Sequence, residues 1–355
     1  MLGSIFILMP FIPFAYLAPK QFRWIADRCV GYWLTFPASL VEFIFGVQFQ
    51  ITGDLVDHRE PAIILMNHRT RLDWLFLWNA LYKMDPWLLT SEKISLKAGL
   101  KKIPGAGWAM GCASFIFLDR NFEQDKENIK NLIKYYKDSG QNYQMLLFPE
   151  GTDRDLRSIE LSRAFAQSKD LPIYDYCLHP RVTGFQYILD LMRKENYIKY
   201  VYDVTVGYPE NIVQSEKILL KDGHFPRSAH FDFHKIEIGE VPMDKAGCEV
   251  WLNSLWRSKE AKLKNFYEKD KKFEPSGSRY VWPLKTTGVG YWIAFSWWVF
   301  TSMMWSYFTY QYFFVKFYVF LGSSFYIYAL KYHNGVEFLV IKWFYRRFPD
   351  LRKDL

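Results

Sequence analysis

Ala62-Ile63-Ile64-Leu65-Met66 is an uninterrupted apolar run of five residues, preceded by Arg59-Glu60-Pro61 and followed at once by Asn67-His68-Arg69-Thr70-Arg71-Leu72-Asp73. A short, β-branched run stopped by polar residues reads as a buried strand. Trp74-Leu75-Phe76-Leu77-Trp78-Asn79-Ala80-Leu81 then reads as the start of a helix. The strand-to-helix turn decides what His68 and Asp73 can do. On one continuous helix, residues five apart point roughly 140° away from each other. With His68 on the turn and Asp73 in the first helical turn, where a carboxylate is favoured, the two can meet. A histidine oriented by a carboxylate is a general base, able to take a proton from a hydroxyl.

The 355 residues suffice for one catalytic domain plus membrane segments. The 14 Trp, 24 Tyr and 31 Phe crowd towards the C-terminal quarter, as in membrane-interface belts. A formal net charge of +8 suits an anionic lipid surface or a phosphate-bearing substrate. No zinc-finger spacing, aromatic RNA-binding signature or long basic run points to nucleic acid. Cys29, Cys112, Cys177 and Cys248 are scattered, which fits a catalytic domain on the reducing, cytosolic side.

Residues 1–50 read as N-terminal membrane-embedded segments. Leu2–Ala18 is apolar but broken by Pro10 and Pro13, and Val30–Phe49 follows the basic stretch Gln21–Arg28. These segments form a membrane-embedded hairpin, or one span plus an interfacial helix, and the sequence does not separate the two. Residues 51–272 read as one α/β domain, a mixed sheet covered by helices. Strands are expected at Ala62–Met66, Ala113–Leu118, Gln144–Phe148, Tyr200–Val206 and Phe231–Ile238, and helices at Asp73–Tyr82, Lys126–Lys137, Phe185–Lys194 and Cys248–Tyr267. The charges of Glu249–Lys272 read as a solvated helix face. Residues 286–331 read as a C-terminal transmembrane hairpin, since Thr286–Val315 lacks charge and Phe317–Leu330 continues the apolar run. Lys331, Lys342, Arg346 and Arg347 then place the tail, 332–355, in the cytosol, and Lys20, Arg23, Arg28 and Lys285 agree.

Two further strand ends carry chemistry. Phe148-Pro149-Glu150-Gly151-Thr152 holds an acid between a proline and a glycine, where backbone can approach a ligand closely. Phe115-Ile116-Phe117-Leu118-Asp119-Arg120 ends in an arginine suited to gripping phosphate. Ahead of both, Lys93, Lys97 and Lys101 fall at helical spacing, as on a helix lying against head groups or lining the approach to the site. His230 and His234 stand four apart, a metal spacing on a helix, but the alternation through Ile238 says strand, so no metal is expected.

In this order, Asn67–Asp73, Phe115–Arg120 and Phe148–Thr152 resemble the His-x4-Asp, arginine-ended strand and Phe-Pro-Glu-Gly-Thr blocks of the glycerophospholipid acyltransferases of the 1-acylglycerol-3-phosphate acyltransferase type. Within that family the chain is most similar to the lysocardiolipin and lysophosphatidylinositol acyltransferase branch. Glu92–Ala98, Pro104–Met110 and Leu178–Phe185 carry that finer likeness, which runs from about Pro10 to Tyr267. The broad family has Arg directly after Phe-Pro-Glu-Gly-Thr, where this chain has Asp153 and then Arg154.

The resemblance implies acyl transfer from acyl-CoA to a hydroxyl of an anionic lysophospholipid, with His68 as base and Asp73 as its orienting partner. Arg120, Glu150, Gly151, Thr152 and Arg154 would form the acceptor site, with Asn67, Lys93, Lys97, Arg163, His179, Pro180 and Arg181 as further candidates. The acceptor is lysophosphatidylinositol, lysocardiolipin or lysophosphatidylglycerol. Alternatives are lysophosphatidic acid or, without catalysis, lipid binding alone. Acyl-CoA is a co-substrate, and no cofactor or metal is implied. Family and membrane signals together place the chain in the endoplasmic reticulum membrane, multi-pass, with its catalytic domain facing the cytosol.

Overall fold

The computed structural model describes residues 1–119, 121–210, 212, 223, 225–273, 280–282 and 289–352. They form two compact units, one from Met1–Phe36, Leu89–Tyr143 and Val289–Leu355, the other from Pro37–Leu88 and Gln144–Gly288. The strands in chain order are β1 (Gln48–Gly53), β2 (Ala62–Met66), β3 (Glu92–Lys97), β4 (Ile116–Leu118), β5 (Gln144–Leu147), β6 (Tyr200–Gly207), β7 (Ser228–Glu237) and β8 (Tyr280–Trp282).

The second unit carries a mixed sheet in the order β5-β2-β6-β7-β1-β8. β2 runs parallel to both neighbours, with Ala62 opposite Gln144 on one side and Tyr200 on the other. β6 and β7 are antiparallel, β7 and β1 parallel, and β8 closes the edge antiparallel to β1. Every residue of β2 is buried. A strand with a parallel neighbour on each side and cover on both faces has no solvated face, so its sequence is continuously apolar rather than alternating. Helix Lys245–Glu268 packs on β6 and on helix Val182–Lys194, while Asp73–Met84 packs on β1.

The parallel trio determines where chemistry can gather. β2, β5 and β6 point the same way, so Asn67, Phe148 and Tyr208, which follow their last residues, all leave from one edge. Loops at the carboxyl ends of parallel strands are where sites are built in such sheets. β7 holds both His230 and His234 in extended backbone, as the alternation predicts, so the helical metal spacing does not exist.

In the first unit β3 and β4 pair in parallel, Ser95 opposite Ile116. This overturns the helix expected through Lys93, Lys97 and Lys101. Lys93 lies on β3, Lys97 at its exposed end, and Lys101 in the 3-10 turn Ala98–Lys102 that follows. The periodicity is outweighed by ionic partners that a local pattern does not show. Lys93 is buried with Nζ 2.7 Å from Asp27 Oδ1, and Arg23 Nη2 lies 2.6 Å from the same oxygen. Tyr143 donates to the other Asp27 oxygen at 2.5 Å. Burial lowers the Lys93 ammonium to about 8, opposed by Asp27. Lys101 instead pairs with Glu337 at 2.6 Å.

The strand expected over Ala113–Leu118 shortens to β4 because Ser114 takes a left-handed φ of 53°. The helix expected from Lys126 starts at Phe122, where the Asn121 side chain accepts the Glu123 N–H and caps it. Near the C-terminus, Val289–Gln311 and Phe313–His333 form two successive helices. Among the described residues, Phe313–His333 is the one helix both long and apolar enough to cross a membrane. Both expose large apolar side chains, including Trp292, Trp297 and Phe300 on the first and Phe313, Phe317 and Phe320 on the second.

Candidate active site

His68 sits two residues beyond β2, and Asp73 opens helix Asp73–Met84. Imidazole Nδ1 lies 2.9 Å from Asp73 Oδ2, with His68 16% and Asp73 0% exposed. The same Oδ2 accepts the Thr70 N–H at 2.9 Å, and Oδ1 accepts the Tyr208 hydroxyl at 2.5 Å. Asp73 is thus buried with three donors, so both of its oxygens are hydrogen-bonded away from water. Because Oδ2 accepts from Nδ1, the imidazole keeps its lone pair on Nε2, which meets no protein partner among the described residues. Phe148 stacks on the ring, with centroids 4.1 Å apart, and fixes its plane. The turn itself is pinned by Asn67, whose side chain donates to the Val206 carbonyl at 3.1 Å and accepts the Val206 N–H at 2.8 Å.

Glu150 is a strut beneath this pair. Its Oε1 accepts the His68 N–H at 3.3 Å and the Trp256 indole N–H at 3.2 Å, and its Oε2 accepts the Leu178 N–H at 3.2 Å. Burial raises the carboxyl to about 7, while His68, Trp256 and the two backbone N–H groups pull it down. The three residues before Leu178 are held by Glu260, whose carboxylate accepts the N–H groups of Asp175 (2.7 Å), Tyr176 (3.0 and 3.1 Å) and Cys177 (2.8 Å). Trp256 and Glu260 both belong to helix Lys245–Glu268, with Lys259 between them. Lys259 is buried, donating to Asp203 Oδ1, the Val204 carbonyl at 2.6 Å and Thr205 Oγ1 at 3.2 Å. The reading of these helix charges as a solvated face holds for Glu249, Arg257, Lys264 and Glu268, which are exposed, and fails for Lys259 and Glu260. One face of this helix organises the loops of the site.

Gly151 has a φ of +76°, the left-handed region that favours glycine, and a Cβ there would stand 3.2 Å from the Arg181 side chain. The Arg154 N–H donates to the His68 carbonyl at 2.9 Å, and the Arg181 N–H to the Pro149 carbonyl at 2.7 Å. These bonds bring the loop after β5 against the turn after β2.

A protein-family model for acyltransferases matches residues 48–208, and one for the acyltransferase C-terminus matches 219–293. The chain is 42% identical to lysophosphatidylinositol acyltransferase 10 of Caenorhabditis elegans, over 91% of this chain and 85% of that one. It belongs to the acyltransferase family. It is also 44% identical to lysocardiolipin acyltransferase 1 of Gallus gallus, over 80% of this chain and 74% of the relative. The crystal structure of the 1-acyl-sn-glycerophosphate (LPA) acyltransferase PlsC from Thermotoga maritima aligns over 74% of this chain and 95% of that one, with 13% identity and a TM-score of 0.43.

In this acyltransferase the structure brings together His68, Asp73, Asn67, Glu150, Gly151, Arg154 and Arg181. It leaves other candidates elsewhere. Thr152 donates to the neighbouring Asp153 at 3.5 Å, and Arg163 pairs with the exposed Asp175 at 2.9 Å. His179, ahead of Pro180, bonds the Pro172 carbonyl at 3.0 Å and stacks on Tyr174, and burial lowers its pKa, so it is a packing residue. Lys93 is committed to Asp27, as described above. Arg120 lies outside the described residues. Sequence reasoning missed Tyr208, Trp256 and Glu260, which lie far from the histidine in the chain. The one usable signal was Trp256 on the helical period of a charged segment.

Proposed function

We propose that this acyltransferase re-acylates an anionic lysophospholipid, with acyl-CoA as donor and His68 as the general base. The observation that carries this is an imidazole whose Nδ1 faces a buried carboxylate while Nε2 is left open. Nε2 takes the proton of the acceptor hydroxyl as its oxygen attacks the thioester carbonyl, help typically worth about 10²–10⁴ in rate. Asp73 stabilises the imidazolium formed. Collapse of the tetrahedral intermediate expels the CoA thiolate, which recovers the proton from Nε2–H. No protein nucleophile is needed. Cys177, the nearby thiol, is pushed well above its ordinary value by burial and by Glu150 and Glu260, so it is no thiolate. The step also calls for no metal or redox cofactor.

Lysophosphatidylinositol and lysocardiolipin, named in the relatives, are the acceptors favoured here, and the net positive charge suits their anionic head groups. The exposed aromatic and aliphatic side chains of Val289–Gln311 and Phe313–His333 support a membrane hairpin over residues 286–331. With the basic residues that follow, they support an endoplasmic reticulum enzyme whose α/β domain, 51–272, and tail, 332–355, face the cytosol. Residues 1–50 would lie in the same membrane. The test uses purified protein in detergent with labelled acyl-CoA and a panel of lysolipids. Transfer to anionic lysophospholipids that vanishes in His68→Ala is expected. Wild-type transfer in His68→Ala sinks the mechanism, and release of free fatty acid without an acceptor points to hydrolysis instead.

A further inference from the structure

Arg69 follows His68 directly. Its Nε and Nη1 are buried without a hydrogen-bond partner, as is the Nε of Arg154. Neither guanidinium forms an ion pair among the described residues. Burial and, after it, the neighbouring Arg69 charge lower Arg154, opposed by Glu260 and Glu150. Like charges held together with unfilled N–H groups are costly, and such groups in a native fold call for an explanation. What Arg69 does have is Tyr267. Its guanidinium lies 5.6 Å from the ring centroid, and its charge opposes the rise that burial imposes on the phenol oxygen. The same oxygen accepts the Tyr208 N–H at 3.2 Å, and the Tyr208 hydroxyl reaches Asp73. Arg154 is held by its own N–H on the His68 carbonyl and by its guanidinium on the Asp175 carbonyl. Arg69 is thus placed one residue from the base and Arg154 against the base's carbonyl, each with guanidinium N–H groups left unfilled.

We infer that Arg69, held by Tyr267 and acting with Arg154, binds the phosphate oxygens of the lipid acceptor and so sets its hydroxyl against His68. Two guanidiniums with open N–H groups are the chemistry that grips a phosphate, whereas a lone lysine supplies only a point charge. Acyl-CoA also carries phosphates, so the source must be told apart by experiment. The inference rests on the lysophospholipid reading above, but its first measurement does not.

Calorimetric titration of the full-length protein in detergent with sn-glycerol 3-phosphate reads the site without turnover. Losing one charge-assisted contact should weaken binding about 10- to 100-fold in Arg69→Gln, with partial recovery in Arg69→Lys. Arg157→Gln, an exposed arginine on the helix after the site, should bind as wild type. In steady-state transfer, Arg69→Gln should raise the acceptor KM by a similar factor and leave the acyl-CoA KM unchanged. Unchanged glycerol phosphate affinity in both Arg69 variants, or a rise confined to the acyl-CoA KM, overturns the inference. A wild-type protein that binds glycerol phosphate through Arg69 yet transfers to no lysophospholipid would overturn the proposed function alone. If Arg69→Gln does not fold, Tyr267→Leu replaces it: it removes the ring beneath the Arg69 guanidinium and should weaken glycerol phosphate at least threefold. Unaltered binding there counts against the inference.

Discussion

Asp73→Asn separates the charge of this residue from its shape. Asn fits the ground state: its oxygen can accept from His68 Nδ1 and the Thr70 N–H, as Oδ2 does now. Its amide would then face Tyr208, whose hydroxyl rotates to accept. Fold and neutral tautomer survive, and only the negative charge facing the developing imidazolium is lost. Two unit charges roughly 4 Å apart at an effective dielectric of about 20 attract by about 4 kcal/mol. That corresponds to about 10³ in rate. Single-turnover transfer of a labelled acyl group should therefore slow about 1,000-fold, with the acceptor KM and the melting temperature near wild type. Asp73→Ala should differ in kind, since it strands three donors and destabilises the fold by several times about 1 kcal/mol. A folded Asp73→Asn within tenfold of wild-type kcat would refute the reasoning and leave Asp73 a packing residue.

Glu150 makes a pH prediction. Its folded value of about 7 lies above the ordinary 4.5 because burial disfavours the charge. Its protonated form therefore contributes stability that is complete below about pH 4.5 and lost as the pH rises through 7, on the order of 3 kcal/mol. Chemical denaturation from pH 5 to 8 should show wild type losing stability relative to Glu150→Gln, and parallel curves would contradict the burial argument. Gly151→Ala should lower the melting temperature by a few degrees, about 1–2 kcal/mol, because φ is +76° and the Cβ meets Arg181. Trp256→Phe removes a donor to Glu150 and should cost about 1–3 kcal/mol in denaturant titrations. Glu260→Ala empties a seat filled by four N–H bonds and should speed proteolysis at Asp175–Cys177 while leaving the acyl-CoA KM unaltered.

What could be read in advance was local. β2 is continuous in hydrophobicity because it is covered on both faces, and the turn after it set His68 and Asp73 within reach of each other. The failures came where a distant partner decides. Lys93 looked helical because its spacing was visible, whereas Asp27, 66 residues away, was not. Tyr208, Trp256 and Glu260 gather at the site from segments 135, 106 and 85 residues from their partners. Only the sheet order makes them neighbours.

The shared edge of β2, β5 and β6 makes the site sensitive to the number of residues rather than to their identity. Dropping one residue from β2 would drag His68 about 3.3 Å along the strand and turn each side chain to the opposite face. The imidazole would then leave both the Tyr208-bound carboxylate and the Phe148 ring. Trading Ile for Val along the same strand would shift nothing at the edge. At the far end of the trio, an extra residue between Glu195 and Asn196, in the turn before β6, would be absorbed without moving any of the three tips.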